Sequence, residues 1–480
     1  MRSLKAALAL AALTAVGGCS VLQKIPAFQQ APELSYQAPG SLRLPLNGGE
    51  GSIAVADALK GKDFVIPPPT PINAWQLPGG TPEQSIEHVT AAADFRVAWK
   101  RNIGRGSSKT EFITAPPIAV GGRIFVMDAA ARVSALNAAN GAFLWTIDMT
   151  PQGGGGRFES YIPDIKFPFM KGGNYKDYHT YGGGLAYDQG KVFVTSGFRF
   201  VAALDANTGT QVWRTPVNIP IHAAPNASGG RLYAVNINNE LVSFNQTTGT
   251  SGWQYNALQE PARLLQASSP AVSGDAVIAS FSSGEVSAVQ AANGAELWTG
   301  NLIHSSRTTA LSEIRDISAR PIVFKGDVLV GGHSGSFGAI DLRTGALRWQ
   351  LPITTTESAW AAGDVVYVVT KDGKVVCIQR ATGQIYWIHQ LNNDGGPNTE
   401  RSGFLGLGNN VNSRVYWSGV ILASNRLITV STSGFAKALD PKTGADIGTL
   451  KLGGTALLTP IAVGDYVYVL LDNGKLVAIR

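Results

Sequence analysis

The sequence predicts an all-β protein whose body is an eight-bladed β-propeller, with N- and C-terminal strands closing one blade. Three observations carry this prediction. A phrase ending in Gly-x-x-x-Trp recurs along the chain, and each copy follows two short strand-like apolar runs. A strand with a tryptophan but no preceding repeat stands near the start of the body, and the final repeat lacks its tryptophan strand.

The phrase reads Leu204-Asp205-Ala206-Asn207-Thr208-Gly209-Thr210-Gln211-Val212-Trp213 in one unit and Ile340-Asp341-Leu342-Arg343-Thr344-Gly345-Ala346-Leu347-Arg348-Trp349 in another. Its glycine and tryptophan recur as Gly141/Trp145, Gly209/Trp213, Gly249/Trp253, Gly294/Trp298, Gly345/Trp349 and Gly383/Trp387. The Asp or Asn opening the turn can accept backbone hydrogen bonds, and the Gly supplies the positive φ of a tight hairpin. The Trp falls on the next strand, where it can fill the space between neighbouring sheets that one four-stranded unit cannot bury alone. A seventh turn, Leu439-Asp440-Pro441-Lys442-Thr443-Gly444, has Gly448 in the tryptophan's place.

Upstream of each turn lie two strands, as at residues 122–127 and 132–137, and many units open on a proline-containing strand such as Ser269-Pro270-Ala271-Val272. Units begin near Thr114, Gly182, Ala223, Ser268, Ala319, Ser358 and Val415, and residues 458–480 form an eighth that stops one strand short. Phe95-Arg96-Val97-Ala98-Trp99-Lys100 is expected to supply the missing strand, which protects the sheet edges by closing the ring. Two insertions exceed ordinary turns: residues 150–182, with Phe158, Tyr161, Phe167, Phe169, Tyr175, Tyr178 and Tyr181, and residues 392–413, rich in Gly and Asn. Long loops on a rigid scaffold often carry function, although mobile glycine runs are equally compatible with variable surface.

At the N-terminus, Arg2 and Lys5 precede an apolar stretch ending in Val16-Gly17-Gly18-Cys19. The stretch is too short for a bilayer-spanning helix, so residues 1–18 read as an export signal. Small residues before a cysteine resemble the bacterial lipobox, which implies acylation of Cys19 and removal of the preceding peptide. An ordinary signal with an incidental cysteine is the alternative. Ser20 follows, where an aspartate would resemble an inner-membrane retention signal, and this favours the outer membrane. Residues 19–94, with Pro67-Pro68-Pro69, read as a lipid-anchored tether, and residues 95–480 as the propeller.

Cys377 is then the remaining thiol, and its alternating run points to a buried structural role. A net charge of +6 is too slight and too scattered to point to a nucleic-acid partner. His88, His179, His222, His304, His333 and His389 are widely separated, with no paired metal-ligand spacing and no nucleophile elbow. No metal, cofactor or catalytic residue is therefore expected. Asp205, Asp341 and Asp440 are accounted for by hydrogen bonding within turns.

The Asp-x-x-Thr-Gly-x-x-x-Trp phrase is similar to the PQQ-like repeat, which serves both pyrroloquinoline-quinone enzymes and non-enzymatic propellers. The lipobox, the proline-rich tether and the single propeller together resemble the BamB family of outer-membrane lipoproteins. That resemblance implies a non-catalytic scaffold at the periplasmic face of the outer membrane. It further implies docking on the POTRA domains of a BamA-like barrel protein and assistance to unfolded outer-membrane proteins. The family's docking loops resemble Arg263-Leu264-Leu265-Gln266-Ala267-Ser268-Ser269-Pro270 and Glu313-Ile314-Arg315-Asp316-Ile317-Ser318-Ala319-Arg320-Pro321.

By that resemblance Leu264 and Leu265 form the apolar part, Arg263 offers charge from a shifted position, and Asp316, beside Arg315, matches one of two aspartates. Ser318 replaces the other, which departs from the family pattern. A charged rim around an apolar centre suits partner binding. The same residues also suit packing between blades and an exposed ion pair of little weight. Two other classes stay open. Quinone-dependent dehydrogenases share the repeat, but resemble one another in a paired-cysteine element that this chain lacks. A sugar- or peptide-binding propeller would use its axial opening or the aromatic insertion.

Overall fold

The computed structural model describes residues 53–108, 111–150, 182–258, 268–302, 317, 319–333, 335–392, 398–401, 410–413 and 415–480. The signal segment, Cys19, Arg263, Leu264, Leu265, Arg315 and Asp316, and most of the two long insertions, lie outside them.

Eight antiparallel sheets form the propeller, each a meander of neighbouring strands A to D, which in seven of them pair in chain order. Blades 1 to 7 span residues 118–148, 183–216, 226–256, 271–301, 322–351, 360–390 and 421–451. Blade 8 takes A, B and C from Ile461–Val463, Tyr466–Leu471 and Lys475–Ile479, and D from Val97–Asn102. Trp99 pairs with Ala478 across that junction. Arg96 and Arg480 exchange backbone hydrogen bonds of 3.0 and 2.9 Å, so the expected closure by N- and C-terminal strands is present. A hairpin of Asn398–Arg401 and Asn410–Ser413 lies within the second insertion.

The strands differ in composition because they differ in surroundings. Middle strands are covered on both faces by neighbouring blades and read as continuous apolar runs; every residue of Val365–Val369 is buried. Outer strands are exposed on one side and alternate, as Phe143–Asp148 does.

The repeat makes the seams between blades. In all eight blades the D strand shifts register at the residue or two before the tryptophan position. Such a bulge re-aims the following side chain. The tryptophan then lies on the turn glycine of the next blade: Trp99 on Gly141, Trp145 on Gly209, Trp213 on Gly249, Trp253 on Gly294, Trp298 on Gly345, Trp349 on Gly383 and Trp387 on Gly444. At Gly209, φ is +74° and a Cβ would come within 2.6 Å of the Trp145 ring, so both backbone and packing demand glycine.

Opposite the tryptophan position stands Ala135, Ala203, Ala288, Ala339, Ala438 or Ala478, and in blade 6 Cys377. Cys377 is fully buried as a small residue beneath Trp387. The turn's opening residue caps it as expected: Asp205 Oδ1 accepts the Asn207 and Thr208 N–H groups, each at 2.9 Å.

Five of these tryptophans also donate Nε1–H to the next turn's second carbonyl, as Trp298 does to Leu342 at 2.7 Å. At the Trp99 and Trp387 seams the corresponding carbonyls, of Ala138 and Pro441, accept from the Tyr468 and Tyr367 hydroxyls.

Candidate functional site

The two mouths of the propeller axis are built differently. On the side of the A–B turns, residues 72–92 form a strap that bonds to every blade. Ala74–Trp75 pairs with the A strand of blade 1, and Gln76 O accepts Tyr187 N–H of blade 2 at 2.8 Å. Pro82 O accepts Asn226 Nδ2 of blade 3 and Val272 N–H of blade 4, and Glu83 O accepts Val323 N–H of blade 5. Trp360 Nε1 of blade 6 donates to Glu87 O at 2.7 Å, and Trp75 stacks on the Trp360 ring. Val89 bonds Leu422 and Ser424 of blade 7, and Ala92 N–H bonds Asp465 O of blade 8.

His88 pins the strap. Its Nδ1 donates to Pro67 O at 2.7 Å, which leaves Nε2 to accept Asn425 N–H at 2.9 Å. Burial holds its pKa below the usual value and favours the neutral ring that this bonding needs.

The opposite mouth, on the side of the D–A connections, opens into an axial cavity of about 420 Å³. Pro78 of the strap forms part of its lining, and Phe112, Tyr416 and Leu457 bring exposed apolar surface to it. Arg320, Glu357, Lys371 and Asp472 also line it. Burial pushes the Asp472 carboxyl up to about 6 and raises that of Glu357; burial lowers the Arg320 guanidinium to about 10. Lys371 Nζ lies 2.6 Å from His333 Nε2, and burial followed by that cation keeps His333 below its usual range.

Arg263, Leu264, Leu265, Arg315 and Asp316 fall in two D–A connections, between blades 3 and 4 and between blades 4 and 5. The described residues at the ends of these connections are stitched together: Ser268 Oγ donates to Ala319 O at 3.1 Å, and Ser280 Oγ donates to Ser268 Oγ at 2.9 Å. Among the described residues, no group of three or more His, Cys, Asp or Glu side chains gathers to hold a metal.

Arg320 and the strap escaped the sequence reading. Arg320 had a signal: it precedes Pro321 where the comparable x-Pro positions hold Ala224, Ser269 and Thr459. The strap's Trp75, set in a proline-rich run, was another.

With this geometry in view, the comparisons with known proteins divide by specificity. The family described as outer membrane protein assembly factor BamB matches residues 170–389. A relative carrying that description, from Moranella endobia (strain PCIT), is 23% identical over 382 residues, covering 79% of this chain and 89% of its own. The crystal structure of BamB from Moraxella catarrhalis superposes with a TM-score of 0.61 at 16% identity, covering 80% of this chain and 98% of that one. A quinohemoprotein alcohol dehydrogenase from Pseudomonas putida HK5 superposes with a TM-score of 0.59 at 12% identity, over 85% and 80%.

The chain is a closed β-propeller whose residues 170–389 are similar to a family of PQQ-like repeat propellers. Shared propeller geometry does not separate the enzymes of that class from the rest. The sequence matches make it a BamB-like propeller.

Proposed function

We propose that the chain is a non-catalytic scaffold subunit of the machinery that assembles outer-membrane β-barrel proteins. An acylated Cys19 holds it at the periplasmic face of the outer membrane, and it docks on the POTRA domains of a BamA-like barrel protein. Docking aids insertion of outer-membrane proteins. The supporting observation is the contrast between the mouths. The strap covers one, whereas at the other the described ends of two neighbouring D–A connections, Ser268 and Ala319, are bonded together. Docking groups on neighbouring connections of a rigid ring need little ordering on binding.

A pull-down with POTRA domains tests this reading. Asp316→Arg combined with Leu264→Ala is expected to abolish capture while leaving the melting temperature unchanged. Undiminished capture would place the docking surface elsewhere. The likeness to a quinohemoprotein dehydrogenase supplies the competing reading. Quinone-dependent dye reduction after reconstitution with cofactor and Ca²⁺ would decide for the enzyme.

A further inference from the structure

The axial cavity carries chemistry that a scaffold does not use. Two residues before the inner strands of blades 1, 3, 4, 6 and 8, the positions lining it hold Pro116, Ala224, Ser269, Ser358 and Thr459, all compact. Arg320 is the long side chain of that set. Its Nε is buried without a hydrogen-bond partner, and among the described residues no carboxylate forms an ion pair with its guanidinium.

Glu357, on the approach to blade 6, attracts Arg320 electrostatically but is held by other groups. Its Oε2 accepts Gly419 N–H at 3.0 Å and the Thr459 hydroxyl at 3.2 Å. A partly buried cation and a partly buried anion thus line one cavity without an ion pair between them, and Pro78 of the strap shares that lining. Drawing such charges partly out of water without an ion pair costs free energy, which a ligand bringing the complementary charges would offset. The apolar surface of Phe112, Tyr416 and Leu457 in the same cavity suits the ligand's remaining body. The volume lies within the range of small-molecule sites.

We infer that this cavity binds a zwitterionic apolar α-amino acid or short peptide, with its carboxylate on Arg320, its ammonium directed to Glu357 and its side chain against Tyr416. A ligand with one charge would leave the other floor group without an ion pair. The free amino acid and the peptide share this recognition chemistry, and the bound length separates them.

Calorimetry on the full chain tests the assignment with phenylalanine, phenylalanine amide, N-acetylphenylalanine and the dipeptide Ala-Phe. Phenylalanine or Ala-Phe should bind, and whichever binds more tightly identifies the source. Blocking either charge of phenylalanine should weaken binding at least about tenfold, the scale of one charged hydrogen bond. Arg320→Gln should weaken phenylalanine and N-acetylphenylalanine alike, while Glu357→Gln should weaken phenylalanine and spare the N-acetyl compound.

Tyr416→Ala leaves the charged floor untouched and guards against a floor variant that fails to fold. It should weaken phenylalanine more than glycine. Absence of binding by both phenylalanine and Ala-Phe, or wild-type affinity for phenylalanine in the Arg320→Gln and Tyr416→Ala proteins, overturns the proposal. POTRA capture by Tyr416→Ala should be unchanged, which keeps this outcome distinct from failure of the scaffold reading.

Discussion

Seven seams between blades are made alike, and the eighth is not. At a regular seam a tryptophan lies on the glycine of the next blade's C–D turn, as Trp298 does on Gly345. Between blades 7 and 8 both halves of that contact are missing together. Blade 7 offers Gly448, and blade 8 has no C–D turn because its C and D strands come from opposite ends of the body. Phe95 fills the gap from the other side: a Cβ on Gly448 would lie 3.2 Å from its ring. The strap adds a second fastening, since Val89 bonds blade 7, Ala92 N–H bonds blade 8, and Arg426 Nη1 of blade 7 donates to Ala92 O. A repeated packing motif depends on the covalent turn that presents it; where the turn is lost, the partner residue is replaced rather than conserved in kind.

Stability measurements can break this contrast, beginning with the largest effect. Trp298→Ala should cost about 3–5 kcal/mol, read by denaturant unfolding, because it empties a buried seam and strands the Leu342 carbonyl. Gly345→Ala should cost about 2–3 kcal/mol, since φ is +72° and the new Cβ would approach the Trp298 ring to 2.8 Å. A loss below about 1 kcal/mol there would mean the seam is looser than its geometry. Phe95→Ala should cost about 2 kcal/mol, less than Trp298→Ala because the ring is smaller and half-exposed.

Acidification should weaken the strap next. The folded-state pKa of His88 is depressed below 6.5, so the unfolded chain takes up the proton first as pH falls. The stabilisation is complete above about 6.5 and is lost as pH drops through the folded pKa, which a titrated melt reads as a falling melting temperature. His88→Gln should flatten that dependence. The smallest effect belongs to Gly448→Ala, within about 1 kcal/mol of wild type, because Gly448 has no positive φ and the Phe95 ring has room to shift. A penalty matching that of Gly345→Ala would erase the distinction between the seams.

The ring was readable because its devices are local. Glycine, the turn-opening Asp or Asn and the tryptophan lie within a few residues of one another, and the apolar runs of the middle strands mark burial on both faces. Trp99 was identifiable as an orphan strand because a blade near the other end lacked one. Gly448 read only as a lost tryptophan, since its replacement, Phe95, is remote in the chain. The strap had no periodicity to detect, because its bonds go to eight separate sheets rather than to one. Arg320 belongs to a ring of positions contributed by different blades, and only the assembled axis brings them together.

Strand pairing at the eighth blade also sets an order of events. Val97–Asn102 emerges early from the ribosome, yet its partner is Lys475–Ile479. The intervening blades can each collapse locally as they appear, but the early strand keeps a hydrogen-bonding edge unpaired until the late one arrives. A chain with such a long wait between matching edges is most exposed to misassembly just before completion, and its final folding step is the meeting of first and last.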